Sequence, residues 1–270
     1  MYQGTTPTKF GRHAVAEPLR YDLFHFHHGT PLTTVDHEPP VPVLDQEDLL
    51  AQGIHTSQLV PGAPDVDALG SCTCNAGTVS LLERMTAKFG PQGFALPSID
   101  FVTASETDAV ASERFAITLY HEVTDQTGDP AQEWPPIDCG STGLYVCQEL
   151  ITRKLITSYR SAANVDAALE LLLEGTVIMG GPWFNAWMEP DAHGFVDGDG
   201  SLAALEAAVE SGVAGGHETC LTAIEQITPS PVIRVRNSWS AAWGDHGSYR
   251  IHESTLRYLG SHVDYKQFVI

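Results

Sequence analysis

Apolar residues along this chain recur with two different periods, and the change between them divides it. Val79, Leu82, Met85 and Phe89 fall on one stripe at helical spacing, and Gly90-Pro91 stops the run, so a helix is predicted from about Cys72 to Phe89. A second helix is expected over Ser112–Val123, anchored by Phe115, Leu119 and Tyr120, and a third in which Leu144, Cys147, Ile151 and Leu155 share a face. Asn164 can cap a helix whose inner face is Val165, Ala168, Leu169 and Leu172, with Gly175 ending it. From there the pattern shortens. Thr176–Met179 is a buried strand, and Val232–Arg236 and Gly247–Ile251 alternate as strands do, joined through Trp243-Gly244-Asp245-His246-Gly247. The reading is α+β, with helices concentrated in residues 61–160 and strands in 161–270. Residues 1–60 form a loop-rich N-terminal extension, broken by Glu38-Pro39-Pro40-Val41-Pro42.

Composition adds exclusions. Hydrophobic content of 43% and charged content of 18% are those of a globular protein with a sizeable core. The net charge of −20 argues against nucleic acid and anionic membrane surfaces, since both need clustered Lys and Arg. Apolar runs such as Leu171–Leu173 are far too short to span a bilayer, and Met1–Pro7 lacks the features of a signal peptide. The expected location is cytoplasmic, or packaged in a particle. Two segments invite a metal reading: His25 and His27, with His13, His28, Asp36 and His37 nearby, and Asp197-Gly198-Asp199-Gly200. A strand or loop with solvated imidazoles explains the first. A turn before a Ser201-capped helix explains the second, because Phe195 stands where a calcium loop needs its first oxygen ligand. No metal and no cofactor is assigned.

The chemistry concentrates at Leu69-Gly70-Ser71-Cys72-Thr73-Cys74-Asn75-Ala76. A cysteine at a helix start faces outward-pointing N–H groups and the positive end of the helix dipole, which favour the nucleophilic thiolate. Partners for it are available later: Gly215-Gly216-His217, and Asn237-Ser238-Trp239-Ser240-Ala241-Ala242-Trp243-Gly244 at the end of a probable strand. His217 follows Cys72 by 145 residues and Asn237 follows His217 by 20. Cys74 would point away from Cys72, and Cys147 and Cys220 suit a core.

These three motifs, in this order, resemble the papain-like cysteine peptidases, and Leu-Gly-Ser-Cys-Thr-x-Asn-Ala is similar to the form seen in their bacterial and phage branch. The resemblance implies a two-lobe fold, with a helical lobe carrying Cys72 and an antiparallel, β-rich lobe carrying His217 and Asn237. It implies a thiol protease, a hydrolase that cleaves peptide bonds through an acyl-enzyme at Cys72. His217 would be the base, Asn237 its orienting partner, and Trp239 the shield of their hydrogen bond. By the same resemblance Gly140, Ser141 and Thr142 are candidates to contact substrate backbone in the cleft, although a plain helix-entry turn explains them as well. The implied partner is a peptide or protein substrate. Two positions depart from the family. Val66 stands where a glutamine donates to the oxyanion, with Gln58 or Asn75 as candidate substitutes, and Ser240 replaces the usual glycine. Leu69 stands where secreted members carry a disulfide cysteine, which fits a reducing compartment. The alternative reading is a weak or inactive peptidase-fold protein serving as a binding or structural component of an assembly.

Overall fold

A computed structural model describes residues 23–24, 31–37, 39, 46–90, 109–125 and 132–270. In chain order its elements are β1 (Leu23–Phe24), β2 (Val35–Asp36), α1 (Gln46–Ala51), α2 (Thr56–Leu59), α3 (Cys72–Phe89), α4 (Ala109–Asp125), α5 (Gly143–Thr152) and β3 (Ser158–Ala162). They continue as α6 (Val165–Leu172), β4 (Val177–Phe184), α7 (Leu202–Glu210), β5 (Val213–Gln226), β6 (Val232–Arg236), β7 (Ser248–His252), α8 (Glu253–Leu259) and β8 (Asp264–Val269). This is the α+β arrangement expected, with α3, α4 and α5 before residue 160 and most strands after it.

The strands form one sheet in the order β1-β3-β8-β4-β5-β6-β7, with β2 added to β5. Every pairing is antiparallel except β1 with β3. Both faces of its centre are buried. Ile178, Cys220 and Phe268 point into a core shared with α3, α4 and α5, whereas Val177, Met179, Leu221, Ile233 and Val235 point into a second core with α6, α7 and α8. Double-sided burial is why β4 begins as a continuous apolar run and not as an alternation.

Helix α3 lies against β5, β4 and β8 on one side and against α4 and α5 on another. Its first three turns are therefore buried all round, wider than the single stripe read from the sequence, and Phe89 at its far end emerges to 49% exposure. Gly90 closes it at φ 82°. Asn164 caps α6 by accepting from Ala167 N, and Ser201 caps α7 by accepting from Ala204 N. Asp197 is not free for a cation: it accepts from His252 N at 2.8 Å and from Thr255 Oγ1 at 2.5 Å. Among the described residues no group of three His, Cys, Asp or Glu side chains could hold a metal, and no helix is long and apolar enough to cross a membrane. His13, His25, His27 and His28 lie outside the described residues.

Several of the described residues before 60 pack onto the body. Leu49 of α1 and Val60 after α2 are buried in the first core, and Leu32 and Val35 pack on the second. His37 Nε2 donates to Leu172 O at 2.8 Å, its Nδ1 lies 3.9 Å from Glu83 on α3, and Arg234 pairs with Asp36 at 2.6 Å.

The tightest approach in the interior is at Gly77 of α3, where an added Cβ would stand 2.6 Å from Val146 Cγ1 of α5. Alanine would gain about 1 kcal/mol of helix propensity, but overpacking a closed site costs about 1–3 kcal/mol, and Val146 is fully buried with nowhere to move. Gly77→Ala is expected to lower stability by about 1–2 kcal/mol, read as a lower urea midpoint at unchanged slope.

Candidate active site

Cys72 opens α3, and the turn before it is pinned from outside. Gly70 N donates to both carboxylate oxygens of Asp138, at 3.1 and 2.9 Å; Tyr120 Oη donates to Asp138 at 2.6 Å and accepts from Gly140 N at 2.7 Å. The helix start is thus tied to α4 and to the 138–142 turn. Ser71 donates to Asn75 Oδ1 at 2.8 Å, and Asn75 Nδ2 donates to the buried Glu113 at 2.5 Å.

His217 lies on β5, next to β6, whose C-terminal end leads straight into Asn237. The His217 Nε2 to Asn237 Oδ1 distance is 2.7 Å. Ser238 N donates to the same Oδ1 at 2.8 Å, which identifies that atom as the oxygen and so makes Nε2 the donor. Nδ1 is left as the ring atom able to exchange a proton. Asn237 is itself fixed by its N–H to Gly247 O at 2.8 Å. Trp239 stacks on the imidazole, ring centroids 4.9 Å apart at 26°, and Trp183 meets both rings edge-on, 5.1 Å from His217 and 5.2 Å from Trp239.

This aromatic cover removes His217 from water. Burial pushes its pKa down to about 4, against the opposing hydrogen bond to Asn237. Burial also pushes the thiols of Cys74, Cys139 and Cys220 up, so these three stay protonated.

A cavity of about 20 Å³ connects the two halves: Cys72 and Asn75 line it from α3, Glu113 from α4, Ser238 and Trp239 from the far strand end, and Gln46 from α1. Cys72, Ser238 and Trp239 meet at this cavity, whereas His217 lines a separate one with Trp183 and Tyr249. Gly140, Ser141 and Thr142 do not line this cavity; all three are buried, and Thr142 caps α5. Gln58 is far from the role considered for it, since its side chain accepts from His55 N in the exposed turn that opens α2. Gln46, Glu113 and Asp138 had no sequence signal as site residues, because none sits in a motif and their neighbours in space are distant in sequence. Ser240, at the family's glycine position, adopts φ 68°, the left-handed conformation glycine takes most easily. Its hydroxyl accepts from Ala242 N at 3.0 Å.

No protein-family model and no curated protein matches the sequence. Solved structures do resemble the fold. The chain is similar to xylellain, a cysteine protease from Xylella fastidiosa, with a TM-score of 0.53 and 15% identity over 100% of both chains. It is also similar to procathepsin B S9 from Trypanosoma congolense, with a TM-score of 0.52 and 11% identity over 95% of this chain and 85% of that one. The fold is that of the papain-like cysteine proteases.

Proposed function

We propose that this chain is a cysteine peptidase in which Cys72 is the nucleophile, His217 the general acid and base, and Asn237 the group that orients His217. The supporting observation is the cavity lined by Cys72 together with Ser238, whose N–H donates to Asn237, and Trp239, which stacks on His217. The sulfur attacks a peptide carbonyl carbon, and the tetrahedral intermediate expels the amine as His217 delivers its proton. Water, deprotonated by His217, then hydrolyses the acyl-enzyme. Substrate is a peptide or protein. One observation favours the alternative of a binding or structural component: Val66 puts no hydrogen-bond donor at the family's glutamine position.

The charge state of the pair follows from magnitudes. Displacing an imidazole from its usual 6.5 to about 4 disfavours protonation by about 3 kcal/mol. A thiolate at Cys72 offsets this to the extent that it approaches the ring, two opposite unit charges about 4 Å apart attracting by about 4 kcal/mol at an effective dielectric of about 20. In this reading the imidazolium forms only when the Cys72 thiolate stands close to the ring.

The proposal is tested by iodoacetamide labelling between pH 4 and 9, followed by mass. Rapid single-site labelling at acidic pH is expected, lost in Cys72→Ala and slowed at least 100-fold in His217→Ala; labelling that rises only above about pH 8 would be that of an ordinary thiol and would overturn it. A second prediction concerns acid stability. In Cys72→Ser no thiolate supports the imidazolium, so the unfolded chain binds a proton at His217 near pH 6.5 while the folded one waits until about pH 4. Stability at His217 is full above pH 6.5 and is lost as pH falls towards 4, with a slope of up to about 1.4 kcal/mol per pH unit. Urea midpoints of Cys72→Ser should fall across this window, and those of Cys72→Ser/His217→Gln should fall less steeply.

A further inference from the structure

We infer that Gln46 supplies the side-chain N–H that stabilises the oxyanion formed at Cys72, an inference that rests on the peptidase reading. When the thiolate bonds to a carbonyl carbon, the C=O electron pair moves onto oxygen, and that charge needs donors fixed in advance. When the intermediate collapses, the pair re-forms the C=O bond and the C–N bond breaks. The cavity beside Cys72, at about 20 Å³, holds little more than one oxygen-sized group.

The polar side chains around this cavity differ in what they have left to give. Asn75 accepts from Ser71 at Oδ1 and gives one Nδ2 hydrogen to Glu113, so it is anchored at both ends with one hydrogen remaining. Glu113 accepts from Asn75. Gln46 is anchored at one end only. Its Nε2 donates one hydrogen to Val66 O, a contact that a backbone carbonyl can make only with the amide nitrogen, so the orientation of the amide is fixed. The second N–H has no acceptor among the described residues, and Oε1 is buried without a hydrogen-bond partner. The residue is only 6% exposed. An amide left half-used in the interior is destabilising, and its place in the wall of the nucleophile's cavity gives that spare donor a use.

The backbone explains how it is held. Leu49, three residues on in α1, is buried in the first core, and its carbonyl accepts from Gln52 N and Ile54 N. Val66 contributes its carbonyl instead of a side chain, so the position where the family carries glutamine here positions a glutamine from another segment.

Two reagents on the same thiol separate this role from a structural one. Acylation of Cys72 by p-nitrophenyl acetate passes through an oxyanion; alkylation by iodoacetamide, a direct displacement, does not. In Gln46→Ala, and in the near-isosteric Gln46→Met should the smaller residue disturb folding, acylation is expected to fall at least tenfold and towards 100-fold, while alkylation stays within about threefold of wild type. Acylation within threefold of wild type would overturn the inference. So would a parallel loss of both rates, which would make Gln46 a prop for the site. A wild-type Cys72 that reacts rapidly with neither reagent would instead remove the peptidase reading, and this inference with it.

Discussion

Everything near Cys72 depends on the burial of one helix. α3 starts at the cavity and runs between the sheet and two other helices, so its direction is set by side chains such as Val79, Leu82 and Met85 and its approach to α5 by the absence of a side chain at Gly77. Fixing the axis fixes where the N-terminus points. A helix start carries about half a positive charge and N–H groups directed outward along the axis. These effects fade within a turn, so they act on a sulfur only if the helix is held in register. The bonds from Gly70 to Asp138 and from Tyr120 to Asp138 and Gly140 hold that end from outside the helix.

The opposite wall follows the same economy of rigid parts. His217 stands on a strand whose neighbours on both sides are paired, and Asn237 leaves the end of one of them with its own N–H already committed to Gly247. The aromatic cluster of Trp183, Trp239 and Tyr249 fills the space around the imidazole. Its cost is electrostatic: with water excluded, the ring resists a positive charge, as its displacement to about 4 reflects. In the peptidase reading that resistance is useful. It ties the imidazolium to the presence of the thiolate and returns a neutral base once the sulfur is acylated.

The N-terminal segment joins these walls. β2 pairs with β5, Asp36 with Arg234, and His37 bridges Leu172 towards Glu83, so residues 31–37 fasten the sheet to α3 and α6. A little further on, α1 brings Gln46 to the cavity. None of this has a periodic or motif signature: two short helices after a run of prolines carry too few residues for a hydrophobic stripe, and a lone glutamine looks the same anywhere in a chain.

What the sequence determined by itself was local in origin. The extent of α3, the caps at Asn164 and Ser201, the antiparallel pair that delivers Asn237, and the α+β division all follow from periodicity, capping chemistry and turn residues within a window of a few positions. The three motifs named Cys72, His217 and Asn237 because their residue types and order are unusual in combination. Only the tertiary structure decided that α3 is buried on all sides, that Gly140, Ser141 and Thr142 stand outside the Cys72 cavity, and that Trp183 and Glu113 belong to the site's surroundings. It also decided that a glutamine 26 residues before Cys72 lines that cavity. These depend on contacts between segments far apart in the chain, and the packing energy that selects such contacts leaves no mark on the short-range pattern of any one of them.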